Sequence, residues 1–349
     1  AFKKRIPSAT TSSIIWPARP PPRRPLRRLQ RALLPPGVRE GEAPAVSSFP
    51  AGASFFAMTE ITLNENDPAL ALAEAAVERR EAARPRRLHL GMSTAGRCPR
   101  QQWLTWLWAS NEGLKYKSLA AIDDGNRGED VIAARIQLAS DLTLMTRDPE
   151  TGRQFEVVDA GGHVRGHMDG VIYHHPSAPK TPHVWECKVV ADKRLAEFRK
   201  IKARDGQKAT LRQWNFVYWV QAQLYMLYGG YRRHWTVVAS AGCRDWDACR
   251  TDLERDEAEY FAERLRSMVE HVDEMPERIS ETPNALDCRW CDVRGICHEG
   301  AAVAVNCRTC RHARPVDGPQ WHCGLHDEIL DVEKQAAGCG DHDLREAMR

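Results

Sequence analysis

The sequence predicts an α/β protein, with a sheet-and-helix body followed by a small cysteine-rich module. Three observations carry this expectation. Between residues 58 and 300, strand-like apolar runs alternate with stretches of helical period. Within them, Gly166–Lys188 (GHMDGVIYHHPSAPKTPHVWECK) reads as a hairpin whose loop holds Pro176, Pro179 and Pro182. Seven of the 11 cysteines crowd between Cys288 and Cys339, which means either a disulfide scaffold or metal sites.

At 349 residues the chain has room for one large core or two domains. Its hydrophobic content of 42% fits a globular protein, and no run of about 18 apolar residues marks a membrane span. The net charge of +3 is a weak bias toward acidic partners, so the placement of basic residues matters more than their total. No leader with an apolar core and a small-residue cleavage site is visible, and the cysteines read as metal sites in a reducing, cytoplasmic compartment. Residues 1–57 differ from the rest: Pro17–Glu40 is dominated by Pro and Arg, and the first methionine is Met58. This segment reads as a basic nucleic-acid-binding arm, an Arg-rich leader, or upstream sequence or a disordered tail, and nothing is built on it.

Asp67–Arg87 reads as an Ala-rich helix that Pro85 brings to its end. Ser93 or Thr94 is expected to cap a helix starting near Cys98, with Trp103, Leu104, Leu107 and Trp108 at helical spacing in the core. The next helix is expected over Asp124–Ser140, with Val131, Ile132, Ile136 and Leu138 as its apolar side and Gly125, Gly128 and Glu129 at its start. Glu129 is there either a solvent-facing residue that suits the N-terminal dipole or a carboxylate beside a sheet end. Val164–Ile172 reads as one strand-like run carrying Asp169, and Val184–Val190 as the next. Alternate residues of a strand share a face, so Glu186 and Lys188 project together and Cys187 points away. Two carboxylates and a lysine at one sheet end suit a hard cation such as Mg²⁺, which takes oxygen ligands; a surface hairpin with a Glu–Lys ladder pair is the plainer reading.

Past Lys188 lies a basic run of Lys193, Arg194, Arg199, Lys200, Lys202, Arg204, Lys208 and Arg212, either a solvated helix face or a set of phosphate contacts. Trp214–Gly229 reads as an apolar helix ended by Gly229–Gly230, with Gln221 and Tyr225 four apart on one face. A glutamine buried there needs a hydrogen-bonding partner. Trp235–Ala239 reads as a core strand and Leu253–Met275 as a long amphipathic helix closed by Pro276.

In this order of helix, strand, strand and helix, the chain resembles the RecB-like exonuclease branch of the PD-(D/E)XK nuclease superfamily. Gly166-His167-Met168-Asp169 matches its G-x-x-D motif, Glu186-Cys187-Lys188 its E-x-K motif, and Gln221–Tyr225 its Q-x-x-x-Y motif. Many members carry His where Glu129 stands, with a glycine four residues earlier, as Gly125 is. The resemblance covers roughly Leu88–Glu299 and implies a restriction-endonuclease-like core, a mixed central sheet flanked by helices. It implies Asp169, Glu186 and Glu129 as ligands of Mg²⁺ or Mn²⁺, Lys188 as the group that orients the attacking water, and Gln221 and Tyr225 as positioners of the DNA backbone.

Cys288-x-x-Cys291-x5-Cys297 follows the long helix. Iron–sulfur members of this branch pair such a triplet with one distant upstream cysteine, and Cys98–Trp103 resembles the stretch that carries it. The resemblance therefore implies a 4Fe–4S cluster on Cys98, Cys288, Cys291 and Cys297. The competing reading is a four-cysteine zinc site using Cys307 or Cys310 in place of Cys98. The tail set Cys307, Cys310, Cys323 and Cys339 resembles a structural Zn²⁺ module, with His312, His322, His326 and His342 as spare ligands; a metal-free tail is the alternative. The expected domains are a segment 1–57, a nuclease domain 58–300 and the cysteine-rich module 301–349.

The expected function is a metal-dependent DNA exonuclease of phage or prophage recombination or DNA processing, working in the cytoplasm of a bacterial host. Its expected partners are linear or single-stranded DNA and a recombination protein, with no membrane. A non-catalytic DNA-binding or adaptor protein on the same core is the alternative; the presence of Asp169, Glu186 and Lys188 together favours the enzyme. A redox protein has no flavin or nucleotide fingerprint behind it.

Overall fold

The computed structural model describes residues 67–349, and the expectations for residues 1–57 lie outside them. Asp67 accepts hydrogen bonds from the Ala69 and Leu70 amides and so caps α1 (Pro68–Ala82), the expected Ala-rich helix. A two-residue strand β1 (Leu90–Gly91) and a tight turn at Met92–Thr94 follow. This turn takes the place of the expected Ser93 or Thr94 cap. Thr94 Oγ1 donates instead to Gly91 O at 2.9 Å. α2 (Pro99–Trp106) starts from Cys98, with Pro99 in the first turn, where its missing N–H is no loss. Trp103, Leu104, Leu107 and Trp108 are all buried, as their spacing predicts.

α3 (Tyr116–Gln137) begins about two turns before the expected Asp124–Ser140 helix. Its buried side is Leu119, Gly128, Ile132, Ala133 and Ile136, whereas Val131 (41% exposed) and Leu138 (85% exposed) face outward. At about 100° per residue, Val131 is turned well away from the Ile132–Ile136 stripe. Gly125, Gly128 and Glu129 therefore sit inside the helix, and Glu129 has no helix N-terminus beside it.

After β2 (Thr143–Met145), β3 (Phe155–Asp159) and β4 (Val164–Met168) fold back on β1 as a small sheet in the order β1-β4-β3. The central sheet joins β2 to β5 (Gly170–Tyr173), β6 (His183–Val190), β7 (Arg233–Ser240) and β8 (Trp246–Asp252), in that order. The expected hairpin is present, with Val171 of β5 opposite Val184 of β6. The single run expected over Val164–Ile172 is two strands in different sheets, and Asp169 is the crossing point between them. Alternating hydrophobicity continues through such a crossing, so the pattern does not report it. All neighbours in the central sheet are antiparallel except β6 and β7. A parallel pair needs a crossover, and α4 (Asp192–Trp214) with α5 (Phe216–Gly229) supplies it.

Alternation along β6 feeds two cores. Trp185 and Cys187 pack with Ile132 and Ile136 of α3, while Val184 joins Trp219 and Leu224 of α5 and Leu265 of α6 (Arg255–Glu270). Beyond α6 come α7 (Leu286–Arg289) and α8 (Arg294–Glu299). An antiparallel sheet of β9 (Ala313–Val316), β10 (Gln320–Cys323) and β11 (Glu328–Leu330) follows, then α9 (Val332–Ala337). Trp321 and Leu330 of this last sheet belong to the same core as α2 and α5. The architecture is the expected mixed sheet flanked by helices. Among the described residues, no helix is long and apolar enough to cross a membrane.

Gly128 sets how closely α3 lies on the sheet. A Cβ there would stand 2.3 Å from Val189 Cγ2 and 3.0 Å from Cys243 Sγ, whereas one at Gly125 would meet nothing within 4 Å. Gly128→Ala is expected to destabilise by about 1–3 kcal/mol through overpacking. Gly125→Ala is expected to stabilise by up to about 1 kcal/mol of helix propensity. Denaturant unfolding of the two variants checks the opposite signs.

Candidate active site

The elements meet along the C-terminal half of β6. Asp169 is 9% exposed, and its Oδ2 accepts the Cys187 amide at 2.9 Å, which ties the sheet crossing to the middle of the E-x-K strand. Glu186, 3% exposed, shares its face of β6 with Lys188, whose Nζ donates to Glu186 Oε1 at 2.5 Å. Gln221, buried in α5, donates from Nε2 to the same Oε1 (2.8 Å) and to Tyr225 Oη (3.2 Å). The partner a buried glutamine requires is therefore Glu186. Glu129 comes from α3, half-buried, close enough that it and Asp169 repel and that its charge acts on Glu186. The six residues singled out from the sequence thus fall in one neighbourhood.

Burial and mutual repulsion dominate the electrostatics. Burial, then the charge of Asp169, pushes Glu186 up to about 8, although Lys188 pulls the other way. Burial, again followed by Asp169, pushes Glu129 up to about 7. Burial also raises Asp169, against Lys188 and the Cys187 amide. For Lys188, burial disfavours the charge, but Glu186 and Asp169 outweigh it and its pKa rises. One ammonium does not balance three carboxylates, so Glu129 and Glu186 hold their protons more tightly than free carboxyls do. Glu186 Oε2 is buried and has no hydrogen-bond partner. A bare carboxylate oxygen, an all-oxygen donor set and excess negative charge fit a hard divalent cation. The carboxylate oxygens are not all within 4.8 Å of one another, a grouping met among the described residues by His326, Cys339 and Asp341. Direct ligands of one Mg²⁺, about 2.1 Å from the ion, stand within about 4.2 Å of one another, so the three carboxylates would have to draw together or bind partly through water.

One contributor, Tyr218, was not singled out from the sequence. Lys188 Nζ lies 4.9 Å from the centre of the Tyr218 ring, a cation–π contact. Tyr218, Gln221 and Tyr225 follow the i, i+3, i+7 spacing of one helix face, and that spacing was the available signal. Gly166 acts through space: a Cβ there would stand 2.5 Å from Tyr225 Cε1 and 3.0 Å from Met92 Sδ. The glycine of G-x-x-D is what seats the tyrosine of Q-x-x-x-Y.

The basic run forms α4, and most of it is already paired. Arg194 pairs with Glu197, Arg199 with Asp245, Lys202 with Asp247, Arg204 with Asp205, Lys208 with Asp252, and Arg212 with Glu254 and Glu257. Lys193 and Lys200 have no ion pair among the described residues. A stripe free to track phosphates is thus largely a salt-bridged face. The sequence hides this because several partners lie more than 40 residues further on, along β8 and the start of α6.

Cys98 is held toward the C-terminal triplet by its own helix. Gln101 Nε2 donates to Asp292 Oδ1 at 2.7 Å, and Arg100 Nε to Pro276 O at 2.8 Å. Burial first, then Cys98 and Cys297, raises the Cys288 thiol. Burial pushes Cys291 up to about 11, with Asp292, Cys98 and Cys288 adding to it against the Val293 amide. The four thiols share one neighbourhood and match in type and number the ligands of an iron–sulfur cluster. Cys307 and Cys310 line a different cavity with Cys323 and Cys339, so a set with either in place of Cys98 is not what the fold gathers.

No protein-family model matches the chain, and no curated protein matches it. Among solved structures it is similar to the SSO0001 protein at 14% identity and a TM-score of 0.37, over 66% of this chain and 95% of that one. It is similar to LHK-Exo in complex with dAMP at 14% identity and a TM-score of 0.38, over 56% of this chain and 92% of that one. It is also similar to the alkaline exonuclease LHK-Exo from Laribacter hongkongensis at 13% identity and a TM-score of 0.35, over 56% of this chain and 95% of that one.

Proposed function

We propose that the chain is a metal-dependent deoxyribonuclease that hydrolyses phosphodiester bonds, acting as an exonuclease on linear or single-stranded DNA in phage or prophage recombination or processing. The observation that supports this most is the buried neighbourhood of Asp169, Glu186 and Lys188, in which Glu186 Oε2 lacks a partner. Asp169, Glu186 and Glu129 would hold Mg²⁺ or Mn²⁺, which when bound lowers the pKa of a coordinated water and neutralises charge on the scissile phosphate. Lys188 keeps its proton through neutral pH, so it serves as a fixed charge that orients the attacking water and not as a base. Gln221 and Tyr225 are too buried to be mainly DNA contacts; they fix the Glu186 carboxylate in its rotamer. Cys98, Cys288, Cys291 and Cys297 would hold a 4Fe–4S cluster that closes most of the body into one loop.

A digestion time course on end-labelled linear DNA and on covalently closed circles, with Mg²⁺, Mn²⁺ or EDTA, tests the reading. Metal-dependent loss of linear DNA with circles intact is the expected result. Asp169→Ala and Lys188→Ala are each expected to slow it by about 10²–10³-fold or more, with circular dichroism unchanged. Near-wild-type turnover in either variant would sink the assignment. Cut circles would make the protein an endonuclease, and bound but uncut DNA would make it the adaptor.

The carboxyl shifts give a second test. Groups whose folded pKa is raised stabilise the protein below their unfolded value, and that stability is lost as pH rises through the folded value. For Glu129 and Glu186 the window runs from the ordinary 4.5 to about 7 and about 8. The gain in melting temperature on adding saturating Mg²⁺ is therefore expected to grow across this window. In Glu186→Gln that growth is expected to shrink. A gain independent of pH would refute the idea that the cation relieves this repulsion.

A further inference from the structure

We propose that Cys307, Cys310, Cys323 and Cys339 hold one structural Zn²⁺ ion, and that this ion locks Arg308 into the body of the protein. The thiols come from three places in the tail: Cys307 and Cys310 from the tight turn after Asn306, Cys323 from the end of β10, and Cys339 from just beyond α9. They line one cavity of about 10 Å³, the lower limit for a single water. Such a space has room for one ion, and four thiols around it are the donor set of structural zinc sites, although no three of their sulfurs yet stand within 4.8 Å of one another and they would close in on binding.

Of the three histidines lining the cavity, His312, His326 and His342, the last two are otherwise engaged. His342 Nε2 lies 3.2 Å from Thr309 Oγ1, and His326 Nε2 lies 3.3 Å from Asp341. His326 also stands 3.9 Å from Cys339 Sγ, where it supports the thiolate from outside the ligand set. The close trio of His326, Cys339 and Asp341 is exposed throughout, whereas Cys310 and Cys323 are buried. The buried thiols, not the rim, define the site.

What the ion would do is written between the paired cysteines. Arg308 is fully buried. Its Nη1 donates to Trp106 O (2.9 Å) and Leu88 O (3.2 Å), its Nε to Gln335 Oε1 (2.9 Å), and its guanidinium lies 3.9 Å from the Trp108 ring centre. No carboxylate pairs with it among the described residues, and a buried guanidinium without a counter-charge is costly to hold. The same turn grips Trp108, whose φ of +54° is strained for a bulky side chain, through Asn306 Nδ2 to Trp108 O at 3.0 Å. A clamp on Cys307 and Cys310 fixes both contacts from either side.

The test uses the full chain, with zinc counted by mass spectrometry and Co²⁺ exchanged in for thiolate-to-metal absorption. The expected result is one zinc per chain, absent in Cys307→Ser/Cys310→Ser, diminished in Cys339→Ser, and retained in His326→Ala and in Cys288→Ser/Cys291→Ser. Chelation of the wild-type protein is expected to lower its melting temperature by about 5–10 °C. Arg308→Met keeps every thiol, so it is expected to retain zinc and melt early, with chelation adding little more. A wild-type protein without zinc, or zinc that survives loss of Cys307 and Cys310, overturns the site. Chelation and Arg308→Met lowering the melting temperature additively overturns the lock.

Discussion

Gathering Asp169, Glu186 and Glu129 around a single ammonium is the constraint that the rest of the body serves. Two like charges about 6 Å apart repel by about 3 kcal/mol at an effective dielectric of about 20. Exposed ion pairs of the kind along α4 contribute about 0–1 kcal/mol each, so they do not offset such repulsion. The compensation has to be local and structural. It consists of the Cys187 amide on Asp169, Lys188 and Gln221 on one oxygen of Glu186, and an apolar scaffold on both faces of the sheet.

Each carboxylate is delivered by a different topological device. Glu186 arrives by strand alternation, Asp169 by a change of sheet, and Glu129 by a helix laid across the opposite face. Two glycines make these approaches close enough. Gly166 gives up its side chain so that Tyr225 can reach the Glu186–Gln221 pair, and Gly128 does so to bring α3 down on Val189. The motifs are separated in sequence but are one packing problem in space.

That division explains how much was legible beforehand. The shared face of Glu186 and Lys188, the hairpin across the Pro-rich loop, and the helix carrying Gln221 and Tyr225 all follow from local periodicity, and all are present. The break between β4 and β5, the early start of α3 and the strand Trp246–Asp252 depend on pairing with distant segments. The last of these, WDACRTD, mixes charge with small residues because it lies at the sheet edge beside α4, and so it offers no apolar pattern to read. The tail reads as a metal-binding knuckle, but nothing in the sequence around Arg308 marks it as buried. Its burial is set by Trp106 and Trp108, some 200 residues earlier.

The pairing along α4 also bears on how this face would meet a polyanion. With six of its eight cations already opposite carboxylates, few are free to displace ions condensed on nucleic acid. Eight free cations would give a log–log dependence of affinity on salt with a slope of about −7, whereas Lys193 and Lys200 alone give about −2. Contact through this face would then lose only about tenfold in affinity over a fourfold rise in salt, where eight free cations would lose about 10⁴-fold.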